Sequence, residues 1–263
     1  MITSTSNTTI KNLINLIKKK KYRDEKGVFV VEGTRISVEV PEELIKEIFV
    51  SETFYNSEKN YLDKIHEKHN VIILSDKVFE HVSDTKSPQG ILLVVKQLSY
   101  NIKDILEKKK TPLLVILDAI RDPGNLGTIM RTSEAAGADL VIMSEDTVDI
   151  YNPKVVRSTM GSIFRVPFVK TEDLVSCILK LRELGIDVFA SDLSATGTYL
   201  DFDYKNPTGF VVGNEANGIN EKVKEVSNKK IIIPMEGKIE SLNAAISTSI
   251  LLFEASRQRM RKK

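Results

Sequence analysis

The sequence predicts a two-domain α/β protein, and three observations carry that prediction. The chain is 263 residues long, more than one average domain uses and enough for two cores. Short apolar runs alternate with segments of helical spacing along most of its length. In the second half, three glycine-bearing turns each follow such a run, where open parallel sheets place their ligand sites. Hydrophobic residues at 41% and charged residues at 28% describe a chain able to fold around its own cores.

The first element is a short amphipathic helix, signalled by Ile10, Leu13, Ile14 and Ile17. It carries a cluster of charge: residues 11 to 26 hold seven lysines and arginines against Asp24 and Glu25, although the whole chain is only +2. A helix delivering Lys18, Lys19, Lys20, Lys21 and Arg23 together suits a phosphate backbone. The basic C-terminus, from Arg257 to Lys263, is read equally well as a solvated tail.

Apolar runs at 28–31, 48–50, 71–74 and 91–95 predict buried strands, with helices expected over Thr34 to Val40, Glu42 to Glu47 and Lys59 to Lys68. These make a small α/β domain of residues 1–97. A polar stretch with the Lys108-Lys109-Lys110 run, residues 98–112, reads as a linker. Beyond it, runs at 113–117, 140–143, 188–190, 210–212 and 231–233 alternate with helical segments, the rhythm of a parallel sheet covered by helices in a domain of residues 113–263. His66 and His69 lack partners at ligand spacing and read as surface residues, so no metal is expected.

No apolar run approaches the roughly 18 residues that span a bilayer, and the polar N-terminus lacks the apolar core of an export signal. The lone Cys177 excludes an intramolecular disulfide and a cysteine-cluster metal site. A cytoplasmic protein without a membrane partner is expected.

The first of the three turns is Asp122-Pro123-Gly124-Asn125, opening a helix whose apolar face is Leu126, Ile129, Met130 and Ser133. Asn125 is placed to cap that helix. The arm of Arg131 leans back over Gly127 toward the helix start, where backbone N–H groups and a guanidinium would favour an RNA phosphate. A capped helix with a surface arginine explains the same residues. The second turn, Gly213-Asn214-Glu215-Ala216-Asn217-Gly218, has glycines that allow close backbone approach of a ligand, or that serve a plain turn. The third runs through Ile233-Pro234-Met235, Gly237 and Ser241-Leu242-Asn243 into a helix with apolar spacing at Leu242, Ile246, Ile250 and Phe253, where capping alone would account for Ser241 and Asn243.

Together these segments resemble the three signature motifs of the SpoU family of SPOUT-class RNA ribose 2′-O-methyltransferases, with one spacing difference: Leu126 alone separates Asn125 from Gly127. The stretch Val156-Arg157-Ser158-Thr159-Met160-Gly161 is similar to the family too. The N-terminal half, through Phe29 to Arg35 and Ser87 to Ile91, resembles the substrate-binding domain of ribosomal-RNA members, a small ribosomal-protein-like α/β fold.

The resemblance implies a trefoil-knotted C-terminal domain that binds S-adenosylmethionine through Gly213, Ile233, Leu242, Asn214 and Met235. It assigns catalysis to Arg131, Asn125, Glu215, Ser241 and Asn243, and RNA contact to the N-terminal lysines with Arg23, Arg35 and Arg157. It implies a homodimer acting on RNA, with 23S ribosomal RNA as the expected substrate. A tRNA 2′-O-methyltransferase and a catalytically silent RNA-binding assembly factor are the alternatives. The Gly-x-Gly-x-x-Gly and Gly-Lys-Ser/Thr loops of other nucleotide-binding folds are absent.

Overall fold

A computed structural model of the chain describes residues 1–61, 70–214 and 216–260. It divides into two compact units, one of residues 1–98 with 149–164 and the other of residues 99–148 with 165–263.

In unit 1 the amphipathic pattern forms α1 (Thr8–Lys18), started by the Asn7 side chain accepting from the Thr9 N–H and burying Ile10, Leu13, Leu16 and Ile17. Lys19 is extended and breaks the basic segment, so α2 (Lys20–Lys26) is a second helix, closed by left-handed Gly27. There follow β1 (Val28–Glu32), α3 (Thr34–Ser37), β2 (Ile45–Ser51), α4 (Glu52–Ser57), β3 (Val71–Leu74), α5 (Asp76–Val82) and β4 (Ile91–Lys96). The sheet runs β1-β4-β2-β3, with β4 antiparallel to both neighbours and β2 parallel to β3. The apolar faces of α1 and α5 cover it, burying Leu13, Ile17, Val78 and Phe79 with Phe49 and Leu92.

The helix expected over 42–47 is only a 3-10 turn at Glu42–Leu44, and Ile45 and Glu47 instead pair with Val95 and Val94 of β4. Cross-strand pairing has overridden local spacing. The helix expected over Thr34 to Val40 stops at Ser37. The one expected from Lys59, together with His66 and His69, lies largely outside the described residues.

Unit 2 begins with α6 (Ile102–Leu106), inside the stretch expected as a linker, where Ile102, Ile105 and Leu106 pack on the core of Leu114, Ile116, Ile178 and Val188. The order continues β5 (Leu113–Asp118), α7 (Pro123–Ala136), β6 (Leu140–Ser144), α8 (Pro153–Thr159, a part of unit 1), β7 (Phe168–Thr171), α9 (Leu174–Glu183), β8 (Asp187–Ser191), β9 (Thr208–Gly213), α10 (Glu221–Val226), β10 (Lys229–Ile231) and α11 (Ala244–Arg259). The six-stranded sheet, ordered β10-β8-β9-β5-β6-β7, is parallel at every pairing. Its edge strand β7 went unread in the sequence because Pro167 interrupts the run, although proline is accommodated just ahead of a strand.

Helix α11 is apolar on two sides, and the side facing α7 and β9 is not the one its spacing suggested. Ala244, Ala245, Thr248, Leu251, Leu252 and Ala255 are buried, whereas Ile246 and Phe253 are 50% and 49% exposed. The small residues let α11 approach α7 closely, with the Thr132 and Ser249 hydroxyls 3.1 Å apart. Near its end, Arg259 is half-buried and donates to the Thr111, Tyr204 and Asn206 carbonyls at 2.9, 2.6 and 2.6 Å. Burial pulls this guanidinium below the usual arginine range.

Residues 149–164 leave the sequence neighbourhood of the parallel sheet and complete unit 1, where the Tyr151 and Phe164 rings pack on Phe29. Arg23 is the centre of this arrangement and is only 3% exposed. It pairs with Asp149 and donates to the Leu16 and Ile17 carbonyls at 2.7 and 3.1 Å, satisfying acceptors at the open end of α1. This corrects the expectation that Arg23 contacts RNA: a buried, fully paired guanidinium holds the fold. Arg23→Ala strands the Asp149 carboxylate, and urea unfolding of the full chain should show a loss of about 3–5 kcal/mol. An unchanged midpoint would contradict the structural role.

Candidate active site

The order β8-β9-β5 sets the carboxyl ends of three strands side by side, so Ser191, Gly213 and Asp118 hand over to neighbouring loops. Two hydrogen bonds tie the first loop to the second. The Asn214 side-chain N–H donates to the Ala119 carbonyl at 2.8 Å, and the Asn220 N–H donates to the Asp118 carboxylate at 2.7 Å. Ala119 has φ 56°, a left-handed conformation costing a non-glycine residue about 1–2 kcal/mol, and its N–H is held by the Ser144 hydroxyl at 2.8 Å. A third bond joins the first loop to the third, from the Asn243 side-chain N–H to the Asn125 Oδ1 at 2.9 Å.

Each asparagine thus has a local structural task as well. Asn243 is the N-cap of α11, accepting from the Ala245 and Ile246 N–H groups. Asn125 is not the cap of α7, as its spacing suggested. Asp122 takes that position and accepts from the Asn125 N–H at 2.8 Å, with Pro123 at the first helical position. Asn125 therefore lies within the first turn, its side chain turned to Asn243.

Between the second and third loops is a cavity of about 410 Å³, within the roughly 300–1,000 Å³ of small-molecule sites. Gly213, Asn214, Ser241 and Leu242 line it. A recess of about 30 Å³ shares Leu242 with it and adds Ile233 and Met235. All five residues expected to bind the cofactor therefore line one continuous region. Apolar side chains at Leu193, Ile233, Met235 and Leu242 and polar groups at Asp192, Asn214, Ser241 and Lys224 line it together, a mixture suited to an aromatic base joined to a charged amino acid. A larger cavity of about 930 Å³ lies within unit 1, around Arg35, Phe54 and Tyr61.

For Gly213 the loop's own turn supplies a local reason. A Cβ there would sit 2.2–2.4 Å from the backbone of Gly218 and Ile219, so the missing side chain makes room for the protein's own loop. That loop is closed by reciprocal Asn214 and Gly218 backbone bonds at 3.0 and 2.9 Å. The Asn214 carboxamide also accepts from the Ala216 and Asn217 N–H groups, bracing the loop from within.

Arg131 is exposed on α7 and, among the described residues, its guanidinium has no hydrogen-bond or ion-pair partner. Ser241 is exposed at the rim of the cavity, and Glu215 lies outside the described residues. Of the residues expected at RNA, Lys18, Lys19, Lys20, Lys21 and Arg35 are exposed. Lys20 and Lys21 face Asp24 and Glu25 at 3.0 and 4.0 Å. Arg157 is instead engaged inside unit 1, donating to Asp84 at 2.9 Å and standing 3.8 Å from buried Glu32.

The sequence reading missed Ser191, Asp192, Leu193, Lys224 and Ser247, which line the same cavity. A usable signal existed: Ser191 ends a recognised strand, and carboxyl ends of parallel strands are where ligands collect. Asp192 is buried and accepts from the Ser194 N–H and hydroxyl at 2.9 and 3.0 Å, while Lys224 stands 3.2 Å away. Burial alone would raise its carboxyl, but the Ser194 and Lys224 contacts outweigh it and hold the group below the usual carboxylate range.

Comparison with known proteins agrees with this geometry. Residues 112–253 match the model of the SpoU rRNA Methylase family, and residues 7–93 match an MRM3-like substrate binding domain. The chain is 32% identical over 253 residues to the 23S rRNA (guanosine(2553)-2′-O)-methyltransferase RlmP of Bacillus subtilis (strain 168), covering 96% of this chain and 97% of that protein. An AdoMet-bound rRNA methyltransferase from Sinorhizobium meliloti superposes with a TM-score of 0.86 at 30% identity, over 99% of this chain and 98% of that one. The SpoU methyltransferase AviRb from Streptomyces viridochromogenes, in complex with AdoMet, gives 0.87 at 27% identity over 96% and 98%. Matching motif by motif and across both halves, the chain belongs to the SpoU rRNA methylase family.

Proposed function

We propose that the protein transfers the methyl group of S-adenosylmethionine to a ribose 2′-hydroxyl of 23S rRNA, with a guanosine as the modified nucleotide. The observation that carries this reading is the cavity between the second and third loops, with the first loop tied to the third beside it by the Asn243–Asn125 bond. The rRNA type is supported by the match of residues 7–93 to a substrate-binding domain and by the RlmP relative.

When bound, the cofactor supplies a sulfonium methyl group open to in-line displacement. The chain's part is then to hold the ribose oxygen opposite the sulfur, an orientation effect worth roughly 7–11 kcal/mol. Arg131 is an exposed cation on the helix that the Asn125 turn opens, suited to fix an RNA phosphate and to stabilise negative charge growing on the 2′-oxygen. Neutralising it to act as a base would cost roughly 7–9 kcal/mol at pH 7.5, offsetting most of the gain from orientation. Ser241 and the Asn125–Asn243 pair orient the acceptor, and Glu215 joins them by family resemblance. The exposed Lys18 to Lys21 and Arg35 carry the RNA backbone.

The same reading includes the trefoil knot, a cytoplasmic location and a homodimer. The half-exposed Ile246 and Phe253 on α11 are an apolar stripe suited to a second copy. Among the described residues no helix is long and apolar enough to cross a membrane.

The test is to incubate the full-length protein with S-adenosylmethionine and unmodified 23S rRNA or tRNA, map methylated nucleosides by mass spectrometry, and sediment the same preparation. Ribose methylation of one 23S guanosine by a species of two-chain mass is expected. Methylation of tRNA alone would move the substrate, and cofactor binding without transfer to any RNA would leave a silent assembly factor.

A further inference from the structure

The cavity holds a charged pair that no motif of the sequence announces. Among the described residues lining it and the adjoining recess, Lys224 is the only lysine or arginine. Its side chain is 15% exposed, and its Nζ stands 3.2 Å from the buried Asp192 Oδ2 and 2.8 Å from the Glu221 Oε1. These contacts differ in kind. Asp192 is anchored by Ser194 and fixed in the wall, and Lys230, at 4.0 Å, is a second cation on it. Glu221 is 74% exposed and reaches Lys224 from the surface, across one turn of a six-residue helix.

From this arrangement we infer that Lys224 receives the carboxylate of the cofactor's methionine half, with Asp192 as the positioning residue that holds the ammonium in the cavity wall. The inference rests on the reading of this cavity as the S-adenosylmethionine site. A second carboxylate, from the exposed Glu221 side chain, already meets the ammonium opposite the fixed partner in the wall. Exchanging Glu221 for a ligand carboxylate keeps the ion pair and frees Glu221 to water, so the swap has little desolvation to overcome. Asp192 cannot serve the ligand itself, because its Oδ2 is shut away from solvent. Ile233, Met235 and Leu242 gather apolar surface suited to the base on one side of the region, and Lys224 lines only the larger chamber, which leaves that chamber for the amino-acid end.

The discriminating ligands are S-adenosylmethionine and its decarboxylated form, which differ by the carboxylate alone. Calorimetry on the full-length protein should give the intact cofactor about a ten- to hundredfold advantage, the range of one charge-assisted hydrogen bond. Lys224→Met should collapse that ratio toward one, chiefly by weakening the intact cofactor. Lys224→Met combined with Asp192→Asn, which leaves no buried unpaired carboxylate, should do the same. Glu221→Gln, which removes the competing carboxylate, should widen the ratio. A ratio that survives both Lys224 variants overturns the assignment, even if both affinities fall together. Failure of the unsubstituted protein to bind either ligand overturns the cofactor reading and the proposal with it.

Discussion

Gly213→Val is expected to abolish S-adenosylmethionine binding and to lower the thermal midpoint of the protein. The added Cβ would lie 2.2 Å from the Gly218 carbonyl carbon and 2.3 Å from the Ile219 nitrogen. These are backbone atoms, so no rotamer change relieves the contact, and the loop from 213 to 219 must open. Opening breaks the reciprocal Asn214 and Gly218 bonds and pulls Asn214 from the Ala119 carbonyl, loosening the left-handed turn beyond β5. Overpacking of this kind costs about 1–3 kcal/mol or more. Binding suffers more than stability because the loop is itself a cavity wall. Gly237→Ala is the matched control: a Cβ there meets nothing within 4 Å, so affinity and midpoint should stay near the parent values. Full affinity in Gly213→Val, read by calorimetry, would mean that the second loop does not form the cofactor site.

Arg131→Ala should reduce methyl transfer by about 10²–10³-fold or more, the range for removing one group aimed at charge in the transition state. Its thermal midpoint and cofactor affinity should remain close to the parent, because the guanidinium has no partner among the described residues to lose. Arg131→Lys keeps the charge but not the planar fork, so partial recovery would point to electrostatics and none to bidentate phosphate contact. A drop in stability equal to that of a buried arginine would show that the residue belongs to the fold. Arg23 illustrates the contrast, since its loss is predicted to act on stability first.

Those two arginines also mark what the sequence could and could not tell. Both stand in stretches with the right flanking residues for RNA contact, and nothing local separates them. Arg23 is buried by Asp149, 126 positions away, and that distance hides the pairing from any reading of neighbours. The three ligand loops were legible because glycine and proline mark tight turns wherever they follow a strand. Ser191 to Leu193 lack such marks and were passed over, although they border the same cavity. The α11 faces failed for another reason: both sides of the helix are apolar, and periodicity does not say which one turns inward. Asn125 and Asp122 are both good caps, and Pro123 at the first helical position favours the earlier residue.

The excursion of residues 149–164 into unit 1 bears on how the chain is made. A nascent polypeptide that has emerged only to residue 98 holds the strands of unit 1 but lacks Asp149, Tyr151 and Phe164, leaving Arg23 unneutralised and Phe29 uncovered. At translation speeds of about 5–20 residues per second, the missing stretch arrives several seconds later. The N-terminal unit must wait for part of its successor, and β7 to β10 can join their sheet only after that. Gain or loss of either half end to end would need compensating changes at Arg23, Phe29 or the 149–164 segment. A gene cut between them leaves one fragment short of a counter-ion and the other carrying an orphaned aromatic segment.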